Sequence, residues 1–279
     1  MHVSRRRFLQ ASAALVAVAR TGFAQRGLKI GVTDWNLRQT GKIDAVALAA
    51  SLGFDGVEVS LGRKPIDGKL PLDDAEIQAQ YLAAAAQQKI ALAGTCLDIL
   101  HVNYLKSDKL GQKWIADGIP ITRKLNARVM LLPMFGDGAL TTAANKDYVG
   151  DVLRELGSEA ERAEVILGLE DTISAEDNVR IMERSRSKAV KVYYDVGNST
   201  NNGFDVVREI RWLGSQRIGQ FHLKDNPGYM GEGKIDFPAV MQAIKDIGYS
   251  GFANLETSTP ASVEADMKRN LAFVRKLIA

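Results

Sequence analysis

The chain has 279 residues, 46% of them hydrophobic and 25% charged, enough for one large core or two modest ones and too evenly mixed for a disordered or collagen-like protein. Its net charge of +3 comes from the first 24 residues, where Arg5, Arg6, Arg7 and Arg20 stand without an acid; removing those four leaves 32 basic residues against 33 acidic ones. A body that close to neutral lacks the positive field that phosphate-backbone binding needs, so no nucleic-acid partner is expected. A single cysteine, Cys96, excludes an intramolecular disulfide.

Ser4-Arg5-Arg6-Arg7-Phe8-Leu9-Gln10 opens the chain, followed by the small apolar run Ala11 to Ala19 and then Gly22-Phe23-Ala24. A charged start, a short weakly hydrophobic stretch and a small-x-small ending predict an export signal over residues 1–24, cleaved after Ala24. The Arg-Arg pair followed by Phe-Leu resembles the twin-arginine signal, the bacterial route for proteins that fold before crossing the membrane. A mitochondrial-type presequence or a retained anchor is the alternative, although about a dozen apolar residues are too few to span ~30 Å as a helix. The expectation is a periplasmic protein that uses the twin-arginine translocase as its export partner and takes up any metal before export.

From Leu28 onward, short β-branched runs alternate with longer helical patterns. Strands are predicted at Leu28–Thr33, Gly56–Val59, Ile90–Thr95, Arg128–Leu132, Val165–Leu169, Lys191–Tyr194, Arg217–His222 and Gly251–Leu255. Amphipathic stretches lie between them at Ala75–Gln88, Gly111–Leu125, Tyr148–Ala163 and Phe237–Ile247, and Ala265–Ile278 closes the chain. Several strands are apolar on consecutive positions, as parallel strands covered on both faces are. Eight such units over residues 25–279 predict an α/β protein of one domain, a single (β/α)8 TIM barrel. An open doubly wound sheet would normally carry a glycine-rich phosphate loop after its first strand, and here that position reads Thr33-Asp34-Trp35-Asn36. The segment Gly62–Asp74, with Pro65 and Pro71, is the longest loop and is placed to overhang the barrel mouth.

A TIM barrel keeps its chemistry at the C-terminal ends of its strands. From the fifth strand onward those ends read Glu170, Asp195, His222 and Glu256, spaced by 25, 27 and 34 residues, each about one βα unit. Four neighbouring strands would then bring three carboxylates and one imidazole to one point, where the negative charges repel unless a divalent cation neutralises them. Oxygen ligands with one nitrogen suit Mn²⁺, Co²⁺, Mg²⁺ or Zn²⁺, with Mn²⁺ or Co²⁺ favoured. Taken singly, each of these residues could equally be a loop salt bridge or a helix cap.

The set Leu-Glu170-Asp171, Asp195-Val-Gly-Asn198, Phe-His222-Leu-Lys224-Asp225, Gly231-Glu-Gly-Lys-Ile-Asp236 and Gly248-Tyr-Ser-Gly251 with Glu256 resembles the sugar isomerase/epimerase superfamily, as does Gly53-Phe-Asp-Gly-Val-Glu58. That superfamily has the xylose-isomerase-like barrel and includes ketose 3-epimerases, inosose dehydratases and endonuclease IV. The resemblance implies that Glu170, Asp195, His222 and Glu256 are metal ligands and that Glu170 and Glu256 also shuttle protons on opposite faces of the substrate carbon. It implies a substrate-binding role for Glu176, six residues after Glu170, where first-turn helix acidity is an equal reading. Ketose epimerases tend to have a histidine where this chain has Asn198 and an arginine where it has Gly228. Both departures touch substrate-contacting positions and leave the ligand set whole.

Lys224 and Asp225 follow His222 and are candidates to hold a substrate oxygen, or form a surface loop pair. His101, with Asp98 nearby, is a candidate substrate contact or a structural histidine. Trp35 ends the first strand as a platform for a sugar ring or as core packing. Glu58 ends the second strand as a carboxylate that needs a partner inside the barrel. Cys96 reads as a small packed residue.

The leading expectation is a metal-dependent isomerase or epimerase moving a proton next to the carbonyl of a non-phosphorylated keto-sugar, since no arginine cluster marks a phosphate site. The alternative uses the same enolate to eliminate or add a β-oxygen, a lyase or hydratase acting on 3-keto-glycosides or 2-hydroxy-3-ketoglycals. A non-catalytic sugar-binding barrel is the third reading. A three-zinc DNA-repair site needs several histidines, and the chain beyond residue 24 holds only His101 and His222. The superfamily's habit of forming dimers or tetramers makes a homo-oligomer the expected assembly.

Overall fold

The computed structural model describes residues 27–225 and 228–279; the expected export signal lies outside the described residues. Eight parallel strands run in sequence order and close into a barrel, the first pairing with the last. They are β1 (Lys29–Thr33), β2 (Gly56–Ser60), β3 (Ala91–Cys96), β4 (Val129–Pro133), β5 (Ile166–Glu170), β6 (Val190–Asp195), β7 (Ile218–Leu223) and β8 (Phe252–Leu255). Helices α1 (Asp44–Leu52), α2 (Ala75–Gln88), α3 (Lys109–Lys124), α4 (Ala143–Ala163) and α5 (Ala175–Ser185) fill the first five crossovers. A short α6 (Val196–Asn201) and then α7 (Val206–Arg217), kinked at Gly214, fill the sixth, and α8 (Phe237–Asp246) and α9 (Val263–Ile278) complete the ring. The expected single barrel is what the chain forms, with strand ends displaced by at most one residue.

Side-chain caps set several helix starts. The Asp74 carboxylate accepts from the backbone N–H groups of Glu76 and Ile77 and starts α2 where the apolar period begins. Helix α4 begins five residues earlier than its periodicity suggests, because Thr142 caps the N–H of Asn145 and the first turn, Ala-Ala-Asn-Lys-Asp, is too polar to show an apolar face. The sequence reading names no stretch for α1, α5, α6 or α7, although Ser174, Asp195 and Asp205 cap the last three.

The barrel interior is closed by polar as well as apolar side chains. Glu58 from β2, Tyr193 from β6, Gln220 and His222 from β7 and Asn254 from β8 are all buried and hydrogen-bonded to one another. Glycine on neighbouring strands makes the room: a Cβ on Gly31 would lie 2.0 Å from the Asn254 side-chain oxygen, and one on Gly94 would lie 2.9 Å from the Gln220 amide nitrogen. Asp34, immediately after β1, is also fully buried, its Oδ2 accepting from the N–H groups of Gly41 (2.8 Å) and Ser60 (3.0 Å).

Burial pushes the Asp34 carboxyl up from 3.8 to about 8, against the two backbone donors that lower it. A carboxyl that holds its proton more tightly folded than unfolded adds stability that is complete below its unfolded value and is lost as the pH climbs through its folded one. Thermal melts of chelator-treated protein should therefore show the advantage of the native chain over Asp34→Asn shrinking from pH 5 to pH 9. A difference that stays constant over that range would contradict the assignment.

Candidate metal centre and substrate cavity

The ends of β5, β6, β7 and β8 carry Glu170, Asp195, His222 and Glu256 to one place, with one ligand atom from each lying within 4.8 Å of all the others. His222 Nδ1 is 2.8 Å from a Glu170 oxygen, 3.5 Å from Glu256 and 3.8 Å from Asp195. The other ring nitrogen, Nε2, donates to Glu58 Oε2 at 3.0 Å, and the same oxygen accepts from the Tyr193 hydroxyl at 2.7 Å and the Asn254 amide at 2.8 Å. Glu58 thus holds the Nε2 edge of the ring and turns Nδ1 toward the three carboxylates, so that Nε2 would keep its proton with a cation on Nδ1. A carboxylate behind a histidine is the usual orienting partner of a metal-ligating imidazole.

Lys224 adds positive charge to that of the imidazole. Its ammonium lies 2.7 Å from Asp195 and 2.6 Å from Glu256. The stem reaches there past Gly197, where a Cβ would lie 2.4 Å from Lys224 Cγ. Glu256 is held from its other oxygen by the Trp35 indole N–H at 3.0 Å. Asp195 Oδ1 accepts from the Asn198 backbone N–H at 2.8 Å and so starts α6.

Titration follows from this crowding. Burial raises Asp195 to about 7 despite Lys224 beside it. Burial also raises Glu170 above the ordinary carboxylate range, against the pull of His222. Glu256, although partly buried, is drawn down to about 2 by His222 and Lys224. For His222 burial opposes the charged form, but Glu170, Glu256 and Glu58 together push it well above its usual value. The donor set therefore fits a hard or borderline divalent cation: three carboxylate oxygens, one imidazole nitrogen with an oriented tautomer, and protons that a cation would displace.

A cavity of about 480 Å³ opens over the cluster. Of the residues singled out from sequence, Trp35, His101, Glu170, Asn198, Lys224 and Glu256 line it, while Asp195 and His222 lie at its floor within the cluster. Two others do not reach it. Glu176 is exposed in the first turn of α5, 3.7 Å from Arg208, where its acidity serves the helix and a surface pair. Asp225 is buried with Oδ2 accepting from the N–H groups of Gly231 (3.1 Å) and Gly233 (2.9 Å), so it ties down the loop after β7.

Sequence reading passed over Arg63, Thr40 and Phe135, which also line the cavity. They stand on loops without periodicity, and only the placement of the Gly62–Asp74 loop over the mouth hinted at Arg63. Asp98 and Cys96 line it too. The Ser60 hydroxyl donates to Asp98, and burial raises the Asp98 carboxyl above its usual range.

A family model described as xylose isomerase-like TIM barrel matches residues 46–277. Among curated proteins, L-ribulose-5-phosphate 3-epimerase UlaE of Salmonella paratyphi A is 28% identical over 240 residues, covering 75% of this chain and 79% of that protein. Among solved structures, D-psicose 3-epimerase from Clostridium cellulolyticum H10 superposes with a TM-score of 0.76 at 19% identity, over 90% of this chain and 99% of that one. The 3-keto-D-glucoside 4-epimerase YcjR from E. coli superposes with a TM-score of 0.68 at 18% identity, over 89% and 99%. At such identities the superpositions show a shared fold.

Two outcomes are expected at the cluster. Mn²⁺ uptake, followed by titration calorimetry, should release protons and weaken as the pH falls from 8 to 6, because Asp195 and His222 regain protons; uptake independent of pH would contradict the charge assignment. Glu58→Gln should lower Mn²⁺ affinity about 10- to 100-fold while the protein still folds, since the orienting charge behind His222 is lost.

Proposed function

Because the chain belongs to the xylose isomerase-like TIM barrel family, we propose that it is a metal-dependent sugar isomerase or epimerase that moves a proton next to the carbonyl of a non-phosphorylated keto-sugar. One observation carries the reading. Glu170 and Glu256 stand at the two ends of the four-strand arc of donors, both line the cavity, and both face His222 Nδ1. A sugar seated on that arc meets one carboxylate from each side.

A divalent cation held by Glu170, Asp195, His222 and Glu256, with Mn²⁺ or Co²⁺ the best match, would polarise the sugar's carbonyl and acidify the neighbouring C–H bond. The chain's own residues do the rest. Glu256, held ionised between Lys224 and the Trp35 N–H, accepts the proton from one face. Glu170, at the opposite end of the arc, returns one from the other face. The Trp35 indole N–H at 3.0 Å fixes the direction of the Glu256 carboxylate. Lys224 sits where negative charge develops on the sugar oxygens and offsets it. Asn198, at the rim of the cavity, has an amide available to a sugar hydroxyl.

The reading extends to the cell. Residues 1–24 carry the Arg-Arg-x-Phe-Leu signature, and we take residues 25–279 as the exported catalytic domain, folded with its metal before the twin-arginine translocase delivers it to the periplasm. Free sugar phosphates are scarce there, which suits a cavity bordered by one arginine and not by a cluster of them.

The test is proton exchange. Mn²⁺-loaded protein incubated in D₂O with a keto-sugar should place deuterium next to the carbonyl and yield the epimer, followed by NMR. Glu170→Gln and Glu256→Gln should each slow that exchange by roughly 10²–10⁴-fold. Loss of the glycosidic oxygen in place of epimer would identify elimination by the same enolate, and exchange that survives both changes would overturn the assignment.

A further inference from the structure

The cavity, about 480 Å³, does not end at the donor cluster. Its far wall has a definite place. In a closed eight-stranded barrel each strand faces the one four places on, so β3 lies across the mouth from β7 and β4 from β8. His101 follows β3 and Phe135 follows β4, and they line the cavity opposite the strands that carry His222, Lys224 and Glu256.

That far wall is built as a recognition surface. The His101 and Phe135 rings stack with centroids 6.2 Å apart and planes 23° from parallel, both half-buried at the cavity edge. Arg63 stands at the start of the Gly62–Asp74 loop, exposed and lining the cavity, with no hydrogen bond or ion pair among the described residues. Its guanidinium field reaches His101 and, after burial, is the next cause that lowers the imidazole below its usual value, keeping that ring uncharged at neutral pH. An uncharged aromatic pair offers a flat apolar face, and an unengaged guanidinium beside it offers a fork of donors to ring hydroxyls or a ring oxygen. The ring pair and Arg63 face the cluster from across the mouth, His101 near enough to feel the Glu256 charge.

We infer that Arg63, His101 and Phe135 form a second ring subsite, and that the substrate is a glycoside: a keto-sugar over the donor cluster whose glycosidic oxygen carries a further ring laid against the His101–Phe135 face. The inference rests on the keto-sugar reading above and deepens it from a free monosaccharide to a two-ring substrate. The three residues take no part in proton transfer; they set which aglycone is accepted and hold the keto-sugar in register with Glu170 and Glu256.

Titration calorimetry of the full chain with methyl and phenyl 3-keto-β-glucosides, with and without Mn²⁺, tests it. The phenyl compound should bind at least about tenfold more tightly than the methyl compound, the size expected for a ring gaining an aromatic partner and its buried area. Phe135→Ala should bring the ratio of the two affinities below about threefold. His101→Ala should do the same, so that a folding defect in one variant does not decide the matter. Equal affinities in the native chain, a ratio that neither variant changes, or no binding of either compound would each overturn the inference. Its failure is separable from that of the proposed function: Glu-dependent deuterium exchange without aglycone discrimination sinks only the subsite, and discrimination without exchange sinks only the reaction.

Discussion

Three carboxylates brought within reach of a single imidazole nitrogen are the constraint to which the rest of this barrel answers. Their mutual repulsion, in a site where Glu170, Asp195 and His222 are almost fully buried, would pull the strand ends apart without compensation. The compensation comes in two layers. In front, the Lys224 ammonium bridges Asp195 and Glu256, and the Trp35 N–H takes up the remaining Glu256 oxygen. Behind, Glu58 holds His222 from its far nitrogen and is itself held by Tyr193 and Asn254.

The rear layer joins the site to the barrel's closure. Glu58, Tyr193, His222 and Asn254 come from β2, β6, β7 and β8, so the bonds that orient the imidazole also cross-brace the barrel interior. Polar networks of this kind are stabilising only when nearly every member is satisfied, and removing one leaves several buried donors without acceptors. The glycines at 31 and 94 belong to the same arrangement, because side chains from other strands occupy the space a Cβ would take. Gly197 plays that part in front, giving passage to the Lys224 stem.

Much of this was legible in the sequence, and for a physical reason. A parallel strand covered on both faces is written as an apolar run, so a lone charged residue at its end stands out, as Glu170, Asp195, His222 and Glu256 do. Glu58 stands inside its strand, the middle residue of Gly-Val-Glu-Val-Ser, and nothing in one dimension separates a buried carboxylate that orients a ligand from one that is a ligand. Glu176 misled because six residues beyond a strand end can fall into the loop or into the next helix, and here the helix starts first and turns the side chain to Arg208. Arg63 and Phe135 were invisible because loop residues carry no period, and their meeting in one cavity is set by strand order around the barrel. Asp225 had a readable signal, the Gly231-x-Gly233 pair, since a Cβ on Gly233 would lie 1.8 Å from its carboxylate.

The donors occupy the arc from β5 to β8, whereas much of the remaining cavity wall, Thr40, Arg63, His101 and Phe135 among it, follows β1 to β4. The donors and this wall thus sit on opposite semicircles of one mouth, joined by the interior and by the Trp35 N–H that reaches Glu256 from the loop after β1. Exchanging the segments after β2, β3 and β4 would leave every ligand atom, and the lysine that balances them, attached to strands the exchange does not touch. The barrel is in that sense a two-part instrument, a fixed reactive arc facing an interchangeable reader, and a chain of this design can change what it accepts without relearning how to react.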